Sequence, residues 1–118
     1  MSLKWEQVVV NSLDPKALAE WWKAALGWNF SEIDEDGDVE IRRTRDSFPA
    51  LMFVGVPEAK DGFDRLHLDF RPDDQAAEVE RLLSLGAVHT DVGQGEDKTW
   101  TVLADPEGNE FCVLSAPA

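Results

Sequence analysis

The chain repeats itself, and the repeat limits what it can fold into. A strand, a helix and three strands are readable from Trp5 to Val56, and the same order returns from Arg65 to Leu114. Gln7 stands seven residues before Asp14, and His67 stands seven before Asp74. Leu26-Gly27 is matched by Leu85-Gly86. Asp46 precedes Phe53 by seven residues, as Asp105 precedes Cys112. Two tandem βαβββ modules predict an α+β fold in which an eight-stranded, curved mixed sheet forms a cup. Both helices would cover its convex face and leave the concave face free to bind something.

Local chemistry supports each element. In the first module Trp5 to Asn11, with Val8, Val9 and Val10, reads as a strand. Asp14 caps a helix that has Pro15 at its first position, where the missing N–H costs nothing. Leu18, Trp21, Trp22, Ala25 and Leu26 form its apolar stripe, and both tryptophans are expected in the core. Gly27 ends it. Trp28–Ile33 and Asp38–Arg43 flank Glu35-Asp36-Gly37, a hairpin signal. The acids around that turn read as a solvated tip, because a calcium loop needs a different spacing. Ala50 to Val56 is the fourth strand.

The connector, residues 57–64, is polar and turn-forming. In the second module Arg65 to Arg71 alternates, with Leu66, Leu68 and Phe70 on one side and His67 and Asp69 on the other. Asp73 or Asp74 caps a helix striped by Ala76, Val79, Leu82 and Leu83. Strands follow at Ala87–Val92, Thr99–Ala104 and Asn109–Leu114, with a loop at Gly93–Lys98. Asp105-Pro106-Glu107-Gly108 is a turn in which proline presets one torsion and glycine accepts the positive one. On the strand after it Glu110, Cys112 and Leu114 share a face.

Composition narrows the partners. Eleven Lys and Arg against 24 Asp and Glu give a net charge of −13. Such a polyanion is repelled by nucleic-acid phosphates and anionic lipid, so neither is an expected partner. The single cysteine, Cys112, excludes an internal disulfide and suits a reducing, cytoplasmic setting. Neither a secretory signal nor a spanning segment is read at the N-terminus.

Four stretches, DPKALAEWWKAALGW, RLHLDFRPDD, SLGA and WTVLADPEGNEFCVL, carry a resemblance that covers nearly the whole chain. In that order and spacing the chain resembles the vicinal-oxygen-chelate superfamily of glyoxalases, bleomycin-resistance proteins and extradiol dioxygenases, and within it the small glyoxalase-like domains of bacteria. The resemblance implies one domain, residues 1–118, with modules 1–56 and 65–118, and commonly a homodimer.

The resemblance also implies where a site would be. Metal-using members hold an ion with one residue from the first and one from the last strand of each module. The matching positions here are Gln7, Phe53, His67 and Cys112. Gln7 and His67 fit, while Phe53 has no donor atom and Cys112 stands where a carboxylate is typical. Asp69 and Glu110 lie on the right faces but are each offset by two residues. One amide, one imidazole and one thiol suit hard divalent ions poorly. The expectation is therefore a pocket lined by Gln7, Phe53, His67, Asp69, Glu110 and Cys112 that binds a small organic molecule without a tightly bound metal. His67 is the candidate for any catalysis. The alternative is a metal-dependent lyase, isomerase or dioxygenase of the glyoxalase type, with Gln7, His67 and Cys112 as ligands to a divalent ion.

Overall fold

The structure, a computed structural model, describes residues 2–62, 64–90 and 98–117. All ten expected elements are present, in two compact units, Met1–Ala59 and Lys60–Ala118. Each unit is a βαβββ module whose four strands form one mixed sheet.

Module 1 comprises β1 (Gln7–Ser12), α1 (Pro15–Leu26), β2 (Phe30–Ile33), β3 (Val39–Arg42) and β4 (Ala50–Gly55), in sheet order β1-β4-β3-β2. The β1–β4 pair is parallel and the other two are antiparallel. The Asp14 side chain caps α1 by accepting from the N–H of Ala17. Gly27 closes the helix at φ 67°, a left-handed value that costs glycine nothing. Leu18, Ala19, Trp22 and Ala25 of α1 are buried, as are Val39, Ile41, Leu51 and Phe53 of the sheet. Those strand residues share one face by register, so α1 covers that face. Trp21 differs from expectation. It sits at the rim, half-buried, with its ring edge-on to Trp22 at 5.0 Å.

Module 2 comprises β5 (Leu68–Phe70), α2 (Gln75–Ser84), β6 (Val88–His89), β7 (Thr101–Ala104) and β8 (Glu110–Val113), in order β5-β8-β7-β6. The pairing repeats that of module 1, with β5–β8 parallel and the rest antiparallel. Asp74, not Asp73, caps α2, by accepting from Ala77. Ala76 faces solvent instead of joining the apolar stripe. At the same end the Gln75 side-chain amide ties the helix to the sheet: its Nε2 donates to the carbonyls of Thr99 and Val113, both at 3.0 Å. Strand β5 is shorter than the alternation predicts, and Leu66, ahead of it, is exposed. The expected loop at 93–97 and the end of the expected strand at 91–92 lie outside the described residues.

The two registers share one rule. Gln7 pairs with Ala50 and Leu68 with Phe111, a spacing of 43 residues in each case. Equal spacing fixes which positions correspond, and it places Met52, not Phe53, opposite Cys112 in the repeat.

Ahead of β8 the turn is tied to a buried carboxylate. Asp105, 3% exposed, accepts from the backbone N–H groups of Glu107 and Asn109 at 2.9 and 3.0 Å. The Asn109 amide nitrogen bonds both of its oxygens.

Candidate functional site

Strand β5 lies at the edge of its sheet. Side chains alternate along it, which puts Asp69 and the residue two before it, His67, on one face. Asp69 is in register with Cys112 of β8, so the thiol joins them across the gap between strands. Same-face neighbours on a strand need not touch, but here they do. His67 Nε2 lies 3.1 Å from Asp69 Oδ1, and the two side chains are 45% and 48% exposed. One nitrogen, one carboxylate oxygen and the sulfur of His67, Asp69 and Cys112 all fall within 4.8 Å of one another. The structure thus brings three of the expected site residues together and gives the imidazole an orienting carboxylate.

Cys112 is buried. Burial pushes its thiol up to about 11, and the Asp69 carboxylate adds to the push through its charge and by accepting from the thiol. A thiol held in this way is protonated at neutral pH and is a poor nucleophile. Native Cys112 is expected to resist iodoacetamide at pH 7.5 and to react appreciably only as pH rises past about 10. Alkylation at neutral pH at the rate of a free thiol would contradict this burial.

Glu110 is engaged elsewhere. Its backbone N–H donates to Asp64 Oδ2 at 2.8 Å, and Lys60 Nζ lies 3.3 Å from both of its carboxylate oxygens. Burial, then the hydrogen bond to Glu110, raise the Asp64 carboxyl above its ordinary range, while that same hydrogen bond lowers Glu110. Lys60 and Asp64 were not singled out from the sequence. Their signal was a base and an acid four residues apart in an otherwise loose connector.

Phe53 does not line a site. It is 0% exposed and pairs with Val10 and Val39, on the face that α1 covers. Gln7 belongs to the opposite face, with Val9, Met52 and Val54. The sequence reading set the fourth strand one residue out of phase, and a one-residue shift moves every side chain to the other face. By the shared register, the counterparts of His67, Asp69 and Cys112 in module 1 are Gln7, Val9 and Met52. An amide, an alkyl group and a thioether offer little to a cation.

A family model described as a glyoxalase-like domain matches residues 7–114. The chain belongs to this family. It is therefore a member of the vicinal-oxygen-chelate superfamily. No curated protein sequence matches it. Among solved structures it is similar to a glyoxalase/bleomycin resistance protein/dioxygenase family enzyme from Burkholderia phytofirmans PsJN. The TM-score is 0.73 at 15% identity, over 98% of this chain and 100% of that one. It is also similar to the bleomycin-binding protein of Streptomyces verticillus, solved with copper(II)-bleomycin. That match has TM-score 0.61 and 17% identity and covers 99% of both chains. TnmS3, an antibiotic-binding protein from Streptomyces sp. CB03234, matches at TM-score 0.64 and 15% identity, over 99% of each chain. At these identities the likeness is one of fold.

Among the described residues two groups bring three possible donors within 4.8 Å of one another: Asp34, Asp36 and Asp38 at the β2–β3 hairpin tip, where an Asp34 oxygen already accepts from the Asp36 and Asp38 N–H groups, and His67, Asp69 and Cys112 at the candidate site. Nitrogen, oxygen and sulfur donors in threes suit a borderline ion such as zinc. The His67, Asp69 and Cys112 donors do not suit magnesium or calcium, which take oxygen ligands.

Proposed function

We propose that this glyoxalase-like protein binds a small organic molecule through the exposed His67–Asp69 pair, without needing a tightly held metal ion. The observation that carries the reading is the 3.1 Å contact between two half-exposed side chains beside a protonated thiol. Asp69 fixes the imidazole, and the free edge of His67 is left to donate to or accept from a ligand. Two proteins similar in fold, the bleomycin-binding protein and the antibiotic-binding TnmS3, are binding proteins, which supports a role in binding or sequestering. Module 1 supports it too, since Gln7, Val9 and Met52 provide shape and one amide where a metal site would need donors. The reading includes a homodimer, for which Trp5 and Val9, 67% and 53% exposed, supply apolar area. It also places the chain in a reducing cytoplasm, where the free thiol of Cys112 is stable.

The donor geometry favours one second reading, a metal-dependent lyase, isomerase or dioxygenase. A zinc-type ion would be gripped by His67, Asp69 and Cys112, and would supply a Lewis acid for an oxyanion on the substrate. The chain's own contribution would be the orientation of His67 by Asp69.

Metal analysis and native mass spectrometry of protein grown in zinc- and manganese-supplemented medium separate the two. The binding reading expects well under one ion per chain and a small molecule that co-purifies with a dimer. Stoichiometric metal that disappears in His67→Ala would instead establish the second reading. For the co-purified molecule, His67→Ala is expected to weaken binding about tenfold, the worth of one or two hydrogen bonds. Because His67 is exposed, the variant should melt at the wild-type temperature.

A further inference from the structure

Module 1 carries a second arrangement, independent of His67. Arg42 pairs across the β2–β3 ladder with Phe30. It follows Ile41, which is buried beneath α1, so it projects from the opposite face of the sheet. Its guanidinium carbon lies 5.2 Å from the centre of the Phe30 ring and 4.6 Å from that of Phe48. One terminal nitrogen pairs with Glu40 at 2.6 Å, the other donates to the Arg45 carbonyl at 2.6 Å, and Nε is buried without a hydrogen-bond partner. Arg42 is thus neutralised and fixed, and it holds two aromatic rings and the Arg45 backbone around itself. The Arg45 guanidinium carbon stands 6.0 Å from the Phe30 ring.

Arg45 has no ion pair among the described residues, not even with the adjoining Asp46, and both Arg45 and Phe48 are exposed. In a chain where acids outnumber bases 24 to 11, three arginines within four positions reverse the local charge. A cation without an ion pair among so many acids, set against the half-buried Phe30 ring, with Phe48, 52% exposed, held on the same Arg42, is the pairing that a ligand with one flat apolar end and one anionic end requires.

We infer that Phe30, Phe48 and Arg45 form a binding site for small aryl carboxylates. The ligand ring packs against Phe48 and Phe30, and its carboxylate takes the planar fork of Arg45 in a charge-assisted pair. Arg42 is a positioning residue, since Glu40 already occupies its charge.

The probe is benzoate, with benzamide as its uncharged counterpart, titrated into the full chain at low salt and followed by amide chemical shifts. Saturable shifts are expected at residues 30 and 42–48, with benzamide binding about tenfold more weakly, as loss of a charge-assisted bond implies. Arg45→Gln should bring benzoate down to the benzamide level and leave benzamide unchanged. Phe48→Leu should weaken both. Both side chains are exposed, so neither variant threatens the fold. The inference is overturned if no saturable shift appears by millimolar benzoate, or if the shifts centre elsewhere. Equal affinity for the two probes, or wild-type affinity in Arg45→Gln, overturns it as well.

Discussion

Phe53→Ala should remove about 3–5 kcal/mol of stability, the cost of a cavity where a large ring is truncated in a packed interior. Phe53 is 0% exposed and lies beside Leu51, Ile41 and Val39, beneath α1. Domains of this size are stable by roughly 5–15 kcal/mol, so the variant approaches the margin of folding. Met52→Ala is the control. Met52 is only half-buried and projects from the other face, so its loss should cost clearly less. Urea unfolding of both variants decides the matter. Equal losses, or a larger loss for Met52, would mean that the face assignment of β4 is wrong.

Asp105→Ala should cost about 2–4 kcal/mol, because it removes the buried acceptor of two backbone N–H groups and of the Asn109 amide. Asp105 is only 3% exposed and accepts from all three. Asp105→Asn keeps one acceptor oxygen and should lose about half as much. The same urea titration measures both. If the alanine variant unfolds at the wild-type midpoint, the turn is held by Pro106 and Gly108 alone. Gly108, at φ 86°, does its part by closing the turn in a conformation that other residues adopt at a cost.

The fold was legible because its signals are local and occur twice. Asp14 and Asp74 cap their helices through the same bond, to an alanine three residues on. The Asp-Gly hairpin and the Asp-Pro-Glu-Gly turn formed where their chemistry put them. The phase of β4 was not legible, since Ala50 to Val56 is apolar on both faces and alternation gives no handle. Counting from Asp46 and Asp105 fixed the wrong residue. The spacing of 43 between parallel partners fixes the right one, and it becomes visible only when the strands are paired.

At the candidate site the residue types were legible and their contacts were not. His67, Asp69 and Cys112 share a face by alternation, but the 3.1 Å approach of His67 to Asp69 depends on rotamers. Glu110 was read as lining because its face is right, yet it is held by Lys60 and Asp64 from a segment that looked like a loose connector. The arginine run in β3 and after it passed as an ordinary strand end. Its meaning lies in two rings, Phe30 on the paired strand and Phe48 past the following turn, whose approach depends on how the chain folds back.

The parallel pairing inside each module bears on how the chain is made. Among the described residues the sheet neighbour of β5 is β8, which begins about 40 residues after β5 ends. During synthesis, β5 therefore emerges long before anything exists for it to join. Its edge stays bare until β8 has been made, and closing so long a loop is slow. A nascent polypeptide of this kind is exposed to mispairing with its neighbours throughout that interval.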